Sequence, residues 1–137
     1  MDELDREILG ILREDARTPY TEIADDVGTS EGTVRNRVEQ LIEDGVIERF
    51  TVATRTGNIK AMIELRVDVN VDTTGVSERL AEWHEVDFVW QVGGEEDIVL
   101  IVDCADTASV NDLITRAREL EEVVNTKTRL ILDERVG

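Results

Sequence analysis

The chain has 137 residues, 41% of them apolar, which is enough for one medium domain or two small ones with a packed core. No apolar run reaches the roughly 18 residues that a membrane-spanning helix needs. The chain starts directly with charged residues, so we expect no signal peptide. The single cysteine, Cys104, and the single histidine, His84, allow no internal disulfide and no Cys/His zinc site. The expectation is a cytoplasmic protein with no metal and no cofactor.

The net charge is −17, from 32 acidic and 15 basic residues, and the only lysines are Lys60 and Lys127. Proteins that bind nucleic acid usually carry a basic surface, so this charge taken alone argues against DNA. The acidic residues are spread along the whole chain and do not form a tail. Broad acidity of this kind keeps a protein soluble in a cytoplasm of very high salt. We interpret it as adaptation to such a medium, as in an extreme halophile.

The first predicted element is an amphipathic helix. Asp2 can cap it, and Leu4, Ile8, Ile11 and Leu12 recur at the spacing of one helix face. Charged residues occupy the other side, so this helix is expected to support the helices that follow.

Residues 20–41 predict two short helices joined by a tight turn. Thr18 can cap the first helix, with Pro19 in its first turn, and Gly28 can end it in the left-handed conformation. Ser30 can cap the second helix, which Gly45 closes. The expected buried side chains are Tyr20, Ile23, Ala24 and Val27, then Val34, Val38, Leu41 and Ile42. The pattern favours a helix-turn-helix, whose second helix enters the major groove of DNA, over an ordinary helical hairpin.

Residues 46–53 have the composition of a short strand, which Thr56-Gly57-Asn58 ends. We interpret this stretch as a wing or linker strand at a domain boundary. The predicted division is a helix-turn-helix domain over residues 1–49, a linker over 50–59 and a second domain over 60–137.

The second domain begins with two predicted strands, at residues 63–71 and 86–92, and a helix at 73–84 between them. Alternation assigns inward positions in the strands to Ile63, Leu65, Val67, Val69 and Val71, then to Val86, Phe88, Trp90 and Val92. Both tryptophans, Trp83 and Trp90, are expected in the core.

A nearly continuous apolar run at residues 98–104 predicts a central strand, followed by a helix capped by Asp106 or Thr107 and a last strand at 124–132. The order βαββαβ is the ferredoxin-like α+β plan. Its helices lie on one face of the sheet, and in so short a chain a second copy is the expected cover for the other face.

Several short motifs carry a family resemblance. Residues 4–12 fit LD-x-x-IL-x-x-L, residues 15–17 read DAR, and EIA at 22–24 precedes Val27-Gly28. Residues 30–47 fit S-x-x-x-V-x-x-RV-x-x-L-x-x-x-GVI, and Gly94-x-x-Asp97 precedes an apolar strand. In these motifs and in the order of its elements, the whole chain resembles the Lrp/AsnC (leucine-responsive, feast/famine) family of transcription regulators.

The resemblance implies a winged helix-turn-helix followed by a ferredoxin-like ligand-sensing domain. It also implies a regulator that binds double-stranded DNA as a homodimer or higher homo-oligomer, with an amino-acid effector held between subunits at the Gly94 to Asp97 turn. The chain departs from the family at Glu96, where an aromatic residue often precedes the Asp.

The expected DNA-binding residues lie on the second helix of the motif and point away from its buried side chains. They are Ser30, Glu31, Thr33, Arg35, Asn36, Arg37 and Gln40. Arg35 and Asn36 have the donors for guanine and adenine edges, and Arg37 suits a phosphate both by chemistry and by the resemblance. The alternative for each of them is a solvated surface side chain.

The expected effector-binding residues are Gly93, Gly94, Glu96 and Asp97. The glycines allow close approach of a ligand, and the Asp97 carboxylate can receive an ammonium group. Glu96 adds a second negative charge, which favours a cationic amino acid or even a metal ion. The alternative is a plain hairpin turn with a solvated acidic tip.

Two other classes of protein compete with a regulator. A group of tetrapyrrole (sirohaem) decarboxylases resembles the same two-domain plan, but such chemistry needs several His and Arg residues, and this chain has one histidine. A sensor or assembly module without DNA binding is the other, and the donors on the exposed helix face argue against it. No residue constellation for nucleophilic or metal catalysis is present, so we expect no enzyme.

Overall fold

The computed structural model describes residues 1–94 and 97–137. The chain divides into two compact units, Met1–Ala53 and Thr54–Gly137. The longest described helix has 13 residues, and none of the described helices is long and apolar enough to cross a bilayer.

The first unit consists of three helices, α1 (Glu3–Glu14), α2 (Tyr20–Val27) and α3 (Glu31–Glu43). Apolar side chains at helical spacing on each helix meet in one cluster, in which Ile8, Ile23 and Val34 are fully buried. The full set is Ile8, Leu12, Ile23, Ala24, Val34 and Val38. The predicted support role of the first helix is therefore confirmed, because α1 contributes to the same core as α2 and α3.

Two details of this unit differ from the prediction. Thr18 does not cap α2, because Pro19 is the residue before the first turn and the Thr18 hydroxyl donates to the Asp15 carbonyl at 2.8 Å. Ile42 is 47% exposed. It follows Leu41 by about 100° around the helix, which turns it away from the buried stripe.

The predicted strand at residues 46–53 is not formed. Residues 44–58 are all described, and none of them belongs to a helix or strand. An extended segment becomes a strand only when its N–H and C=O groups pair with a neighbouring strand, and no described strand pairs with this one. The wing therefore remains irregular backbone in the single chain.

The second unit has the predicted order βαββαβ, and the fold class is confirmed. Its elements are β1 (Ile59–Val67), α4 (Thr73–Ala81), β2 (Val86–Gln91), β3 (Ile98–Cys104), α5 (Thr107–Arg118) and β4 (Val123–Leu130). The strands form one antiparallel sheet in the order β2-β3-β1-β4. Side chains of β1 and β3 pack with α4 and α5 around Leu65, Leu80, Leu100 and Leu113, and Cys104 is buried among them as a small apolar residue.

The side chains of β2 that face away from the helices are not the predicted ones. Phe88 and Trp90 are 51% and 47% exposed, so the expectation that Trp90 is a core residue is wrong. The pairing of β2 with β3 shifts between Val86 and Phe88, and this irregularity places Val86 and Val89 toward the core and the two aromatic rings on the other face.

The first strand also ends earlier than predicted. It stops at Val67, and Val69 lies exposed in the turn that follows. The last strand runs from Val123 to Leu130, and α4 ends at Ala81, short of the predicted residue 84.

The core of the second unit makes a direct prediction about stability. Ile63→Ala should lower the free energy of unfolding by about 2–5 kcal/mol, because a fully buried side chain leaves a cavity. Val69→Ala is the control, since the Val69 side chain is exposed. Its change should stay within about 0.5 kcal/mol in chemical denaturation. Equal losses for the two variants would contradict the assigned core.

Candidate DNA-binding surface and ligand turn

The turn between α2 and α3 is fixed by backbone conformation and by a side-chain cap. Gly28 has φ of 74° and ψ of 39°, the left-handed conformation that ends α2 as predicted. Ser30 begins α3, and its Oγ accepts a hydrogen bond from the Thr33 backbone N–H at 3.1 Å. The Ser30 and Thr33 hydroxyls lie 2.8 Å apart. Both predicted contact residues therefore also hold the start of the helix.

The outward side of α3 is set by what its inward side buries. Val34, Val38 and Leu41 are buried, so the side chains between them must point away from the core. Of the predicted DNA-binding residues, Ser30, Arg35, Asn36 and Gln40 are exposed and Glu31, Thr33 and Arg37 are half-buried. The structure places all seven on one helix and its cap.

Arg35 is held in place by two neighbours. Its guanidinium pairs with the Glu31 carboxylate one turn earlier and lies over the Tyr20 ring, 5.6 Å from the ring centroid. The spacing of Glu31 and Arg35 by four residues could have shown the ion pair in advance. The contact of Arg35 with Tyr20 is seen only in the structure, because the sequence pattern predicts that Tyr20 is a buried side chain.

Asn36 and Gln40 differ in the availability of their amide groups. The Gln40 amide nitrogen donates to the Asp44 carboxylate at 2.9 Å, which occupies it at the end of α3. The Asn36 amide is exposed and has no hydrogen-bond partner among the residues that the structure describes. A base edge can therefore reach Asn36 without first displacing a protein contact.

Arg37 contacts two carboxylates of α1. Its Nη1 lies 2.6 Å from Asp2 Oδ2 and 3.2 Å from Asp5 Oδ1. The hydrogen bond from Arg37, together with the Asp5 backbone N–H, lowers the pKa of the Asp2 carboxyl from 3.8 to about 2. The same contacts, Asp2 first and Asp5 second, raise the pKa of Arg37. Residues so far apart in sequence carry no periodic signal that could have predicted this pairing.

Asp97 is anchored to the sheet by two hydrogen bonds to β1. The Asp97 Oδ2 accepts a hydrogen bond from the Val67 backbone N–H at 2.9 Å, and the Asp97 N–H donates to the Leu65 carbonyl at 2.9 Å. Gly94 has φ of 115°, a conformation that side chains rarely adopt. The predicted site residue Glu96 lies outside the described residues.

The chemistry of the two regions differs accordingly. The α3 surface presents an arginine, an asparagine amide and hydroxyls, which are donors of the kind that read base edges. Several carboxylates lie next to these donors. In the second region, the described residues Gly93, Gly94 and Asp97 offer backbone groups and the Asp97 carboxylate, whose Oδ1 has no partner among the described residues. No cluster of three or more His, Cys, Asp or Glu side chains that could hold a metal lies within that described part.

Two family models match the chain. Residues 1–42 match the AsnC-type helix-turn-helix domain, and residues 60–136 match the Lrp/AsnC ligand binding domain. These two ranges contain the α3 surface and the 93–97 turn.

Similar proteins and structures extend over the full length. The chain is 38% identical over 133 residues to the HTH-type transcriptional regulator LysM of Sulfurisphaera tokodaii, covering 96% of this chain and 95% of LysM. The crystal structure of the leucine response regulatory protein LrpA of Mycobacterium tuberculosis matches with a TM-score of 0.87 at 27% identity, over 100% of this chain and 96% of that one.

The fold is also that of a transcriptional regulator from Neisseria meningitidis in complex with L-Met, with a TM-score of 0.82 at 20% identity, over 100% of this chain and 93% of that one. With both domain models matched and relatives similar over nearly the whole length, the chain belongs to the Lrp/AsnC family of DNA-binding, helix-turn-helix transcription regulators.

Proposed function

We propose that the protein binds a specific sequence in double-stranded DNA through α3 and changes that binding in response to a small metabolite. The observation that carries this proposal is the outward surface of α3, where Arg35 and Asn36 are exposed on a helix whose opposite side is buried. The reading surface comprises Ser30, Glu31, Thr33, Arg35, Asn36, Arg37 and Gln40. In functional terms we divide the chain into a DNA-binding domain at 1–49, a linker at 50–59 and an effector and assembly domain at 60–137.

We propose that the protein works in high salt, and its net charge of −17 supports this proposal. High salt weakens the part of DNA binding that comes from counterion release. Specific contacts to base edges then carry a larger share of the affinity, and Arg35 and Asn36 are the residues with the matching donors.

No observation favours the tetrapyrrole decarboxylase alternative. The one histidine, His84, is exposed, and LysM of Sulfurisphaera tokodaii is named as a transcriptional regulator. An absorption spectrum of the purified protein without tetrapyrrole bands would agree with the proposal that it is a transcription regulator.

The DNA proposal predicts a pseudo-palindromic site, since one recognition helix reads few base pairs and a dimer presents two. Selection from random DNA in molar potassium chloride should enrich one such motif. Arg35→Ala or Asn36→Ala should change the preference at one or two bases and weaken the specific site by about 1–3 kcal/mol.

Arg13→Ala is the matched control for Arg35→Ala. Arg13 is an exposed arginine of α1, so its replacement by alanine removes the same charge from a different helix. It should leave the selected motif unchanged. The proposal of sequence-specific binding is wrong if no motif is enriched, or if Arg13→Ala shifts base preference as Arg35→Ala does.

For assembly, we propose a homodimer or higher homo-oligomer that covers the helix-free face of the sheet. Phe88 and Trp90 are exposed there, with ring centroids 5.8 Å apart. Val99 and Ile101 of β3 pair with Trp90 and Phe88 in the sheet, but they are only 8% and 7% exposed. Large apolar side chains exposed next to one another, as Phe88 and Trp90 are, are typical of an interaction surface. Residues 47–53 are proposed to join the same interface by pairing with a second copy.

This assembly should tighten as the salt concentration rises. Burying apolar area contributes about 25 cal/mol per Å², while repulsion between acidic subunits is screened within about 3 Å in molar salt. Trp90→Glu should shift the light-scattering mass toward the monomer. Val69→Glu adds the same charge in the exposed turn after β1 and should not. A wild-type monomer in molar salt at micromolar concentration would contradict the proposal.

For the effector, we propose that Gly93, Gly94, Glu96 and Asp97 bind a small amino acid at a subunit interface. The Asp97 Oδ1 supports this, because it has no partner among the described residues and can accept a hydrogen bond from an ammonium group. Backbone N–H groups of a glycine turn can receive the ligand carboxylate. A ligand that bridges two chains favours the packing that brings them together, which links occupancy to DNA affinity.

The effector proposal predicts different results for two substitutions of Asp97. Asp97→Asn keeps an acceptor for the Val67 N–H but removes the charge, so it should retain the fold and abolish ligand binding. Asp97→Ala removes both and should also lower thermal stability. Isothermal titration with the twenty amino acids in molar potassium chloride is the measurement. An amino-acid effector is ruled out if the wild type gives no binding heat with any of them.

A further inference from the structure

Arg37 is held by a pair of acceptors that is already organised without it. Asp2 Oδ1 accepts from the Asp5 backbone N–H at 3.0 Å, and Asp5 Oδ2 accepts from the Asp2 backbone N–H at 3.1 Å. This reciprocal arrangement is the capping box of α1. The remaining oxygens, Asp2 Oδ2 and Asp5 Oδ1, are the ones that bind Arg37. Each carboxylate thus uses one oxygen for the cap and the other for α3.

We propose that Arg37 is a positioning residue, which fixes the rotation of α3 against the N-terminus of α1 so that Arg35 and Asn36 face the DNA. This inference rests on the proposed DNA-binding function and changes the role of Arg37 within it. The guanidinium serves as a link between two helices and is not available as a separate phosphate contact.

The position of Arg37 on the helix suits this role. It precedes the buried Val38 and lies at the flank of the stripe that contacts α1 and α2. Apolar contacts hold a helix against a core without strong directional preference. Hydrogen bonds from one guanidinium nitrogen to two fixed carboxylates add the direction that the apolar stripe lacks.

The surroundings of Arg37 also disfavour a phosphate. The Arg37 side chain is 36% exposed, and of its two partners Asp2 is 56% exposed and Asp5 14% exposed. The contact with Asp5 is therefore better shielded than an ordinary surface ion pair. A phosphate that approached Arg37 would have to compete with Asp2 and Asp5 and would be repelled by their charges. Arg35 pairs with one carboxylate, Glu31, on its own helix, and its contact with α2 is with the uncharged Tyr20 ring.

The deciding experiment removes the carboxylates and leaves the arginine in place. In Asp2→Asn/Asp5→Asn, the helix cap is retained because Asn also caps helices, but the charge partners of Arg37 are lost. If Arg37 positions α3, the affinity for the selected DNA should fall by about tenfold, even though the protein has become less acidic. If Arg37 is a phosphate contact, its release should make binding to every DNA tighter.

The matched control is Glu3→Gln/Glu7→Gln, which removes the same charge from α1. Neither residue contacts Arg37, and Glu3 makes only a 3.9 Å pair with Arg6. This control should bind DNA as the wild type does or slightly more tightly. Circular dichroism verifies folding of all variants, and the single variant Asp5→Asn provides the same test with a smaller change if the double variant unfolds.

A second measurement uses Arg37→Ala. Loss of a phosphate contact lowers the slope of log K against log salt by about 1, whereas loss of a positioning residue should leave the slope unchanged while affinity falls. In the free protein, carboxyl NMR should give Asp2 a pKa of about 2 in the wild type, rising toward 3.8 in Arg37→Ala. The pKa of Asp2 is lower in the folded than in the unfolded protein. The stabilisation of the fold by the Asp2–Arg37 contact is therefore present above pH 3.8 and is lost as the pH falls through about 2.

Two outcomes overturn the inference in different ways. Tighter binding by the Asp2/Asp5 variant than by its control, together with a slope reduced by about 1 in Arg37→Ala, would make Arg37 a phosphate contact and leave the DNA-binding function intact. A wild-type protein that binds no DNA would remove the proposed function and this inference with it, whatever the pKa of Asp2.

Discussion

The burial of Val34 and Val38 against α1 and α2 is the constraint on which the DNA-binding unit depends. Both side chains are almost completely inaccessible, and they lie one helical turn apart. With that side of α3 buried, the helical period places Arg35 and Asn36 on the outward side, and the contacts of Arg37 with Asp2 and Asp5 add direction to this placement. The Ser30 cap and the left-handed Gly28 then determine where the helix begins. The proposed recognition surface therefore depends on apolar packing on the opposite side of the same helix.

The sequence predicted those parts of the structure that depend on local signals, and missed those that depend on distant partners. Helical spacing and caps identified α3, because Ser30 and Val34 act through their immediate neighbours. Alternation in β2 showed that the strand has two faces, but only the shifted pairing with β3 decides that Val89 points inward and Trp90 outward. Arg37 was expected to contact DNA on chemical grounds. Its pairing with Asp2 and Asp5 spans more than 30 residues, and no sequence pattern indicates it.

The acidity of the chain changes how its few cations act. Arg35 and Arg37 both pair with carboxylates of their own unit, but the two pairs differ in exposure. Salt at molar concentration screens charges within about 3 Å in solvent and screens shielded pairs much less. The exposed pair of Arg35 with Glu31 should therefore open readily, whereas the pair of Arg37 with Asp5 persists. Under the proposed function, a salt-rich medium would leave Arg35 available to DNA and keep Arg37 between the two helices.

Asp97 connects the proposed ligand turn to the centre of the sheet. Its carboxylate and its N–H both bind the end of β1, at Val67 and Leu65, and β1 lies between β3 and β4. In the proposed site, a ligand ammonium group would bind Oδ1 of the carboxylate whose Oδ2 accepts from the Val67 N–H. A shift of this carboxylate would then act on the end of a central strand, because Val67 pairs with Val123 of β4 just after an irregularity in the ladder. Ladder irregularities are positions where a strand can bend. A small change at Asp97 can therefore be transmitted to the adjacent strand.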